Sequence, residues 1–235
     1  VVLEEKVKII FTSSGSPEKF TNILKKNGCV VVQVVSNVKQ AKKSELAGCD
    51  AVVAEGYEAG GHNGKDELTT FSLVPQVVDS VNIPVIAAGG IADGRGMLAA
   101  FSLGASGVQI GTLFAASEES SAHINYKNAI ISSQDNSTQI FLRRYSPVRA
   151  IKNSIVNQIL LAESKCLSDD EIKKIIGEKR EMKGIFEGNL DEGFLEMGQS
   201  AGLIKEIKSV KDIIQDLINV YNQYLSNLQS LEKPF

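Results

Sequence analysis

Short runs of β-branched residues alternate with amphipathic segments along the first part of the chain. Five runs are apolar at nearly every position, and they predict strands at 7–11, 30–35, 51–54, 84–88 and 107–110. Between them apolar residues recur at helical spacing, which predicts helices at 16–27, 37–47, 71–81 and 93–103. Strands that are apolar on both faces are typical of parallel strands covered by helices. The pattern therefore predicts an α/β fold.

Two α/β architectures fit this alternation, the doubly wound sheet and the (β/α)₈ barrel. A doubly wound dinucleotide domain carries its glycine-rich phosphate loop after its first strand. Here the glycine-rich turns follow the third, fourth and fifth predicted strands. Barrels often bind phosphate at the ends of their last two strands. The barrel is therefore the better prediction for residues 1–117.

The remainder of the chain follows a different pattern. After about Glu118 the strand signals fade, and long polar stretches of helical character take over. The sequence Ser-Asp-Asp-Glu at 168–171 is a capping box, and apolar residues at helical spacing predict a helix at 209–228. We interpret residues 118–235 as a helical extension packed on the barrel.

Composition narrows the function classes. The 235 residues are 43% hydrophobic and 23% charged, which is typical of a globular protein. A net charge of -3 gives no reason to expect nucleic acid or an anionic membrane as a partner. The three cysteines, Cys29, Cys49 and Cys166, form no C-x-x-C pair, so neither a disulfide framework nor a metal site is expected. We expect a cytoplasmic protein without a membrane span.

The turn after the third predicted strand combines glycines with a histidine. Four glycines within 55–64 allow a ligand to approach the backbone closely. His62 lies among them, and an imidazole titrates near neutrality, which suits proton transfer. We therefore predict that His62 is catalytic. Glu55 begins this turn, and two interpretations stay open: a carboxylate bound to backbone N–H groups, or a ligand contact.

The next two strand ends predict an anion site. Gly89 and Gly90 follow the fourth strand and precede a helix, and glycine N–H groups beside a helix N-terminus bind anions. After the fifth strand, Gly111 permits close approach, and Thr112 offers a hydroxyl and an N–H group. Two consecutive ends of this kind suit the phosphate of a mononucleotide such as FMN.

Other polar residues have plainer interpretations. His123 lies in a polar helical stretch and is expected on the surface. The segment 13–15, Ser-Ser-Gly, serves equally well as a ligand loop or as a turn that caps a helix. A basic cluster is expected to form a solvated face and comprises Arg143, Arg144, Arg149 and Lys152.

Three segments, in order, resemble the nitronate monooxygenase (2-nitropropane dioxygenase) family, which includes the enoyl-acyl-carrier-protein reductase II enzymes. They are AEGYEAGGHNG at 54–64, PVIAAGGIADGRG at 84–96 and GASGVQIGT at 104–112. The resemblance continues through 148–153, 187–193 and 197–204, and so covers nearly the whole chain. It implies a TIM-type barrel with a helical extension that binds FMN non-covalently.

The resemblance also implies roles for individual residues. His62 matches the catalytic histidine of the family. Contacts to FMN are implied at Glu55, Gly60, Gly89, Gly90, Gln109, Ile110, Gly111 and Thr112. The family begins with three more strands than this sequence contains, which implies that the chain holds the last five βα units of the barrel.

The resemblance leaves the activity open between two reactions. A nitronate monooxygenase oxidises alkyl nitronates with O₂. An enoyl reductase uses NAD(P)H to reduce an enoyl thioester carried by acyl carrier protein. Glu55 favours the reductase, because the monooxygenases of the family more often have Gln at this position. An inactive flavin-binding fragment is the non-enzymatic alternative, and a homodimer is one candidate assembly.

Overall fold

A parallel sheet of five strands dominates the first half of the chain in the computed structural model, which describes residues 1–230. The strands of the molecule are β1 (Ile9–Thr12), β2 (Val30–Val35), β3 (Ala51–Glu55), β4 (Gly61–His62), β5 (Val85–Ala88), β6 (Gly107–Gln109), β7 (Thr138–Phe141) and β8 (Val148–Ile151). The order in the parallel sheet is β1-β2-β3-β5-β6. The predicted α/β fold class is confirmed.

Helices connect and cover these strands. They are α1 (Glu18–Lys26), α2 (Val38–Leu46), α3 (Thr70–Val78), α4 (Gly94–Ser102), α5 (Thr112–Ala115), α6 (Ile124–Ile131), α7 (Ser154–Ser164), α8 (Asp169–Ile176) and α9 (Val210–Ser230), with a π-helical turn at Met182–Phe186 and a 3₁₀ turn at Gln199–Leu203. The expected capping box is present at the start of α8, where Ser168 and Glu171 bond reciprocally. The expected third helix ends early, at Val78.

The core lies on both faces of the parallel sheet, as the doubly apolar strands predict. On one face Val52 and Ala54 of β3 pack with Leu73 and Val77 of α3. On the opposite face Val53 clusters with neighbours from β2 and β5. This burial fixes the strands, so the positions of their carboxyl ends are fixed as well.

The second half of the chain is not purely helical, contrary to the sequence-based expectation. β7 and β8 form an antiparallel pair, and β4 joins them in the order β4-β8-β7. Gly61 pairs with Arg149, and His62 pairs with Val148. The sequence pattern did not predict these strands, because β7 and β8 have four residues each and β4 has two. Segments this short are too short to show a periodic signal. This small sheet ties the glycine-rich turn after β3 to the C-terminal half.

The last helix packs on the parallel-sheet half of the molecule. α9 crosses α4 so closely that a Cβ atom at Gly94 would lie 2.2 Å from the backbone nitrogen of Tyr221. The rings of Phe101 and Tyr221 meet edge to face, with centroids 5.7 Å apart. The expected boundary near residue 117 falls between α5 and α6.

Residues 1–230 also lack a membrane-spanning helix and a cluster of metal-ligating side chains, and their cysteines are thiols. No helix there combines the length and the apolar character needed to cross a bilayer. Cys29 and Cys49 are buried thiols, and Cys166 is an exposed one. Side chains of His, Cys, Asp and Glu form no group of three or more that could hold a metal ion in this part of the chain.

Candidate functional site

The carboxyl ends of β3, β5 and β6 meet at one edge of the parallel sheet and line a cavity of about 260 Å³. Most of the cofactor residues predicted from the sequence lie in its wall: Glu55, Gly60, Gly89, Gly90, Gln109, Gly111 and Thr112. Ile110 is absent from the lining and packs instead against the apolar core. The C-terminal half completes the wall with Tyr126, Glu196, Gly198 and Ser200.

The turn after β5 requires glycine. Gly89 and Gly90 have φ angles of +92° and +74°, which side chains rarely tolerate. A Cβ atom at Gly89 would also lie 2.7 Å from the carbonyl oxygen of Gly56. Gly90 is exposed toward the cavity, and a Cβ atom there would meet Glu58 at an ordinary 3.4 Å. Gly89 therefore holds the turn against the neighbouring loop, while Gly90 presents backbone to the cavity.

The N-terminus of α4 is already capped, which refines the anion site predicted from the sequence. The Asp93 carboxylate accepts hydrogen bonds from the backbone N–H groups of Arg95, at 2.9 Å, and Gly96, at 3.2 Å. Those two N–H groups are the donors that an anion at this helix end would use. The backbone of the glycine turns, rather than the helix end, is thus left to bind an anion.

The end of β6 offers open space and a hydroxyl group. A Cβ atom added at Gly111 would meet no atom within 4 Å. The Thr112 hydroxyl oxygen accepts a hydrogen bond from the backbone N–H of Gly198, at 2.9 Å. Because that bond uses a lone pair, the hydroxyl hydrogen stays available to a ligand. This end of the cavity therefore combines a close approach with a donor.

The segment at 197–199 closes the cavity from the C-terminal side. The backbone N–H of Gln199 donates to the carbonyl oxygen of Glu58, at 2.9 Å. A Cβ atom at Gly60 would lie 2.5 Å from the backbone of Met197, so the two chain segments touch. In the sequence this segment shows no chemical signal apart from the family resemblance. Tyr126, Glu196 and Ser200 also line the cavity, and the sequence pattern did not predict them as site residues.

His62 lies beside a second, larger cavity of about 580 Å³. Its side chain is exposed, and its backbone is fixed by the pairing of β4 with β8. The loop at 13–16 lines the same cavity, which favours the ligand-loop interpretation of Ser13-Ser14-Gly15. Glu55 lines both cavities and so lies between them. The predicted catalytic histidine and the predicted anion site are thus neighbours on one edge of the sheet.

Glu55 is a partly buried carboxyl group. Burial alone raises its pKa to about 7, and its side chain takes no hydrogen bond from backbone N–H groups of residues 1–230. The structure therefore does not support the interpretation of Glu55 as a strand-end carboxylate held by backbone groups. A carboxyl group between two cavities that is half protonated near neutral pH can donate or accept a hydrogen bond.

Arg149 is buried and stabilises the candidate site, whereas the sequence pattern predicted that it forms part of a solvated face. It is 4% exposed, and its guanidinium donates to the carbonyl oxygen of Tyr57 from Nη2, at 2.9 Å, and Nε, at 3.2 Å. The same group lies over the Tyr57 ring, 5.6 Å from the centroid. Arg149 thereby stabilises the backbone of the glycine-rich turn at Tyr57.

We expect Arg149→Met to lower the free energy of unfolding by about 1.5–3 kcal/mol, because the Tyr57 carbonyl loses charge-assisted hydrogen bonds. Arg143→Met is the matched control: Arg143 also lies over the Tyr57 ring, but it is exposed and pairs with exposed Glu67. That exposed ion pair should contribute little, because solvent screens it. Denaturant unfolding of both variants measures the difference. Equal losses would show that Arg149 does not support the turn.

Comparison with known proteins places these residues in a family context. Residues 1–219 match the family model described as nitronate monooxygenase. A probable nitronate monooxygenase of Staphylococcus saprophyticus is 35% identical over 237 residues, which is 96% of this chain and 66% of that protein. A probable nitronate monooxygenase of Staphylococcus aureus strain Newman is 41% identical over 169 residues, which is 67% of this chain and 47% of that protein. The chain thus spans less than two thirds of either protein.

Two solved structures show the same fold. FabK from Thermotoga maritima is 43% identical with a TM-score of 0.92, and the match covers 97% of this chain and 72% of that one. Nitroalkane oxidase from Streptomyces ansochromogenes is 24% identical with a TM-score of 0.80, covering 97% of this chain and 67% of that one. These matches confirm the predicted fold, part of a TIM-type barrel followed by a C-terminal extension.

Proposed function

Because the chain belongs to the nitronate monooxygenase family, we propose that it binds FMN and acts as an FMN-dependent oxidoreductase. The observation that carries this proposal is the convergence of two glycine turns, after β5 and β6, on one cavity. When bound, FMN supplies the electron and hydride transfer, and the protein supplies binding and orientation.

The residues of the smaller cavity fit the phosphate end of FMN. Gly90 and Gly111 are both exposed, and the space beside the α-carbon of Gly111 is open. The Thr112 hydroxyl can donate to a phosphate oxygen while it accepts from Gly198. A side chain at either glycine would project into the volume where we place the ligand.

Gly111→Ala should weaken FMN binding roughly tenfold or more, since an intruding methyl group in a fitted contact costs about 1–3 kcal/mol. The fold should be unaffected, because nothing lies within 4 Å of the new Cβ atom and Gly111 has a negative φ of -94°. The matched control is Gly107→Ala at the start of β6, whose Cβ atom would meet Ile86 at an ordinary 3.9 Å. Titration of FMN fluorescence measures both affinities. Unchanged affinity in Gly111→Ala would show that the phosphate does not bind at this end of the cavity.

This pair of variants is cleaner than substitution of Gly90. Valine at Gly90 would also add bulk at the cavity, so Gly90→Val should weaken FMN binding. However, Gly90 has a φ of +74°, so any side chain there strains the backbone as well. A loss of affinity in Gly90→Val would therefore combine two causes that Gly111→Ala separates.

We assign proton transfer to His62. Its exposed imidazole lies at the larger cavity, which suits a substrate next to a flavin bound in the smaller one. In a reductase it would assist protonation of the reduced enoyl thioester or stabilise the enolate. In a monooxygenase it would remove a proton from a neutral nitroalkane before oxidation.

Of the two activities we favour NAD(P)H-dependent enoyl reduction, with an acyl-carrier-protein thioester as substrate. Glu55 supports this choice, because the resemblance associates Glu with the reductases and Gln with the monooxygenases. Its side chain lies between the two cavities, where it can contact both flavin and substrate. The buried thiols Cys29 and Cys49 fit a reducing compartment, so we place the protein in the cytoplasm.

Anaerobic flavin reduction tests the choice between the activities. The FMN-loaded protein is mixed with NADH or NADPH, and then with crotonyl thioester, ethyl nitronate or O₂. Fast loss of the flavin colour on mixing with NADH or NADPH, followed by its return on adding the thioester, supports the reductase. Bleaching by ethyl nitronate followed by recolouring with O₂ supports the monooxygenase. Bound FMN that reacts with none of them would indicate a flavin-binding protein without activity.

A further inference from the structure

The larger cavity has two lysines in its lining, Lys43 and Lys65. Lys65 is exposed and makes no ion pair with the residues of 1–230. The Lys43 ammonium group reaches Glu18, at 3.6 Å, but both side chains are exposed, and such a pair contributes little. Asp66 also lines the cavity, and its carboxylate accepts a hydrogen bond from the side-chain amide of Asn37, at 2.7 Å. Two ammonium groups are therefore available to an anionic group of a ligand.

The rest of this lining is mostly polar. It includes the hydroxyl and amide side chains of Ser13, Ser16, Ser36, Gln40 and Asn63. A long hydrocarbon chain would fit poorly here, because it would bury polar groups without hydrogen bonds. A chain of amide groups that ends in a phosphodiester matches the wall, since its amides can bond to these side chains and its negative charge to the lysines. The arm that links a thioester to an acyl carrier protein has this chemistry.

The basic charge of the protein is concentrated on the two helices beside this cavity. Residues 16–48 contain six lysines and two acidic residues, a net charge of +4, whereas the whole chain has -3. The residues just before α1 and several residues of α2 line the cavity, so it opens between these helices. Lys19 and Lys39 lie in the first turns of α1 and α2, exposed and without an ion pair among residues 1–230. Together with Lys42 and Lys43 they form the α1–α2 face, a basic surface that borders the cavity.

The lysines of α2 are arranged in a way that disfavours the isolated helix. Lys39 and Lys43 are four residues apart on one side of the helix, and like charges at this spacing repel each other. Lys39 also adds positive charge at the helix N-terminus, where the helix dipole favours negative charge. Glu45, the acidic residue of α2, accepts a hydrogen bond from the backbone N–H of Asn82, at 2.7 Å, and so is engaged elsewhere. An acidic surface docked on this face would offset the repulsion.

From this arrangement, and resting on the proposed function, we propose that the α1–α2 face is the docking surface of an acidic acyl carrier protein. Acidic side chains of the carrier contact Lys19 and Lys39. The phosphodiester of its arm binds at Lys43 and Lys65, and the arm follows the polar wall to bring the thioester to His62, which lines the same cavity. Charge attraction raises the rate at which the two proteins associate, and this attraction weakens as the ionic strength rises.

The test presents one acyl group on two carriers. The FMN-loaded protein reduces the crotonyl thioester of acyl carrier protein or of N-acetylcysteamine, a small neutral thiol, with NADH or NADPH. In the double variant Lys19→Glu, Lys39→Glu, kcat/KM for the carrier-protein thioester should fall roughly tenfold or more at low ionic strength, because charge steering raises association rates by about 10–10³. The value for the N-acetylcysteamine thioester should match the wild type, since neither lysine lines the larger cavity.

Two further measurements guard this comparison. The matched control is Lys174→Glu, Lys211→Glu, which makes the same charge change at exposed lysines of α8 and α9 that line neither cavity. It should lose far less activity with the carrier-protein thioester. In the wild type, kcat/KM for that thioester should fall as the ionic strength rises to about 0.15 M, where charges are screened beyond about 8 Å. The value for the N-acetylcysteamine thioester should not change with salt.

Lys65→Met tests the binding of the arm separately from the docking of the carrier. The loss in kcat/KM should be roughly tenfold larger with crotonyl phosphopantetheine than with crotonyl pantetheine, which lacks the phosphate. A hydrogen bond to a charged group has about this value. Equal losses with the two thioesters would show that the phosphodiester does not bind at Lys65.

Each outcome decides a different point. Equal losses with the carrier-protein and N-acetylcysteamine thioesters, or in both double variants, would overturn the docking surface. A loss confined to the KM for NADPH would overturn it as well, because it would assign the lysines to the phosphates of a nicotinamide dinucleotide. A wild type that reduces the N-acetylcysteamine thioester and not the carrier-protein thioester would contradict this proposal and leave the proposed function intact. A wild type that reduces neither would contradict the proposed function itself.

Discussion

Replacing His62 with alanine is expected to lower turnover by roughly 10²–10⁴-fold, the usual contribution of a general acid–base group. FMN binding should remain, because His62 lines the larger cavity and not the smaller one in which we place the phosphate. The fold should also remain, since the side chain is exposed and the pairing of β4 with β8 uses backbone groups. Steady-state turnover with the substrate identified by the reoxidation experiment, together with FMN titration, measures both effects.

His123→Ala is the control for this substitution. His123 caps α6 by accepting a hydrogen bond from the backbone N–H of Asn125, at 3.1 Å, and its ring packs on Gly188. Its loss should cost about 1 kcal/mol of stability, as removal of a helix cap does, and should leave turnover unchanged. An unchanged kcat in His62→Ala, or an equal loss in both variants, would exclude His62 from catalysis.

The protein is expected to self-associate through the edge of β1. β1 lies at the edge of the parallel sheet and pairs with β2 on one side. Its residues Ile9 and Phe11 are 59% and 51% exposed, which is high for large apolar side chains in a strand. An unpaired apolar edge is a template for association with another chain. Size-exclusion chromatography with light scattering measures the association.

A charged edge should suppress this association. The double variant Ile9→Lys, Phe11→Lys should shift the protein toward the monomer, because lysine on an edge strand opposes strand pairing. Leu46→Lys is the control: Leu46 is 88% exposed on α2, away from the edge, and its loss should leave the association unchanged. A monomeric wild-type protein would contradict our interpretation that the exposed edge of β1 drives association.

The sequence by itself determined the parallel sheet and the glycine turns at its edge. Strands such as 51–54 are apolar at every position, and that pattern is local, so it could be read without knowledge of the fold. Glycines 89, 90 and 111 also indicated close approach of a ligand, because their residue type limits what the backbone can do there. Since the carboxyl ends of neighbouring parallel strands meet, these local signals also predicted that the turns at 89–90 and 111–112 come together. Ile110, which only the family resemblance implied, lies outside the cavity lining.

The tertiary structure alone decided how the C-terminal half completes the site. Arg149 and Tyr57 are 92 residues apart, and Thr112 and Gly198 are 86 apart, yet each pair is joined by hydrogen bonds. The pairing of β4 with β8 and the position of Glu196 in the cavity wall depend on contacts of the same range. A charged side chain looks alike in sequence whether it faces water or a cavity, because burial is a property of its neighbours in space. For that reason Arg149 was expected in solvent and Glu196 was not expected in the site at all.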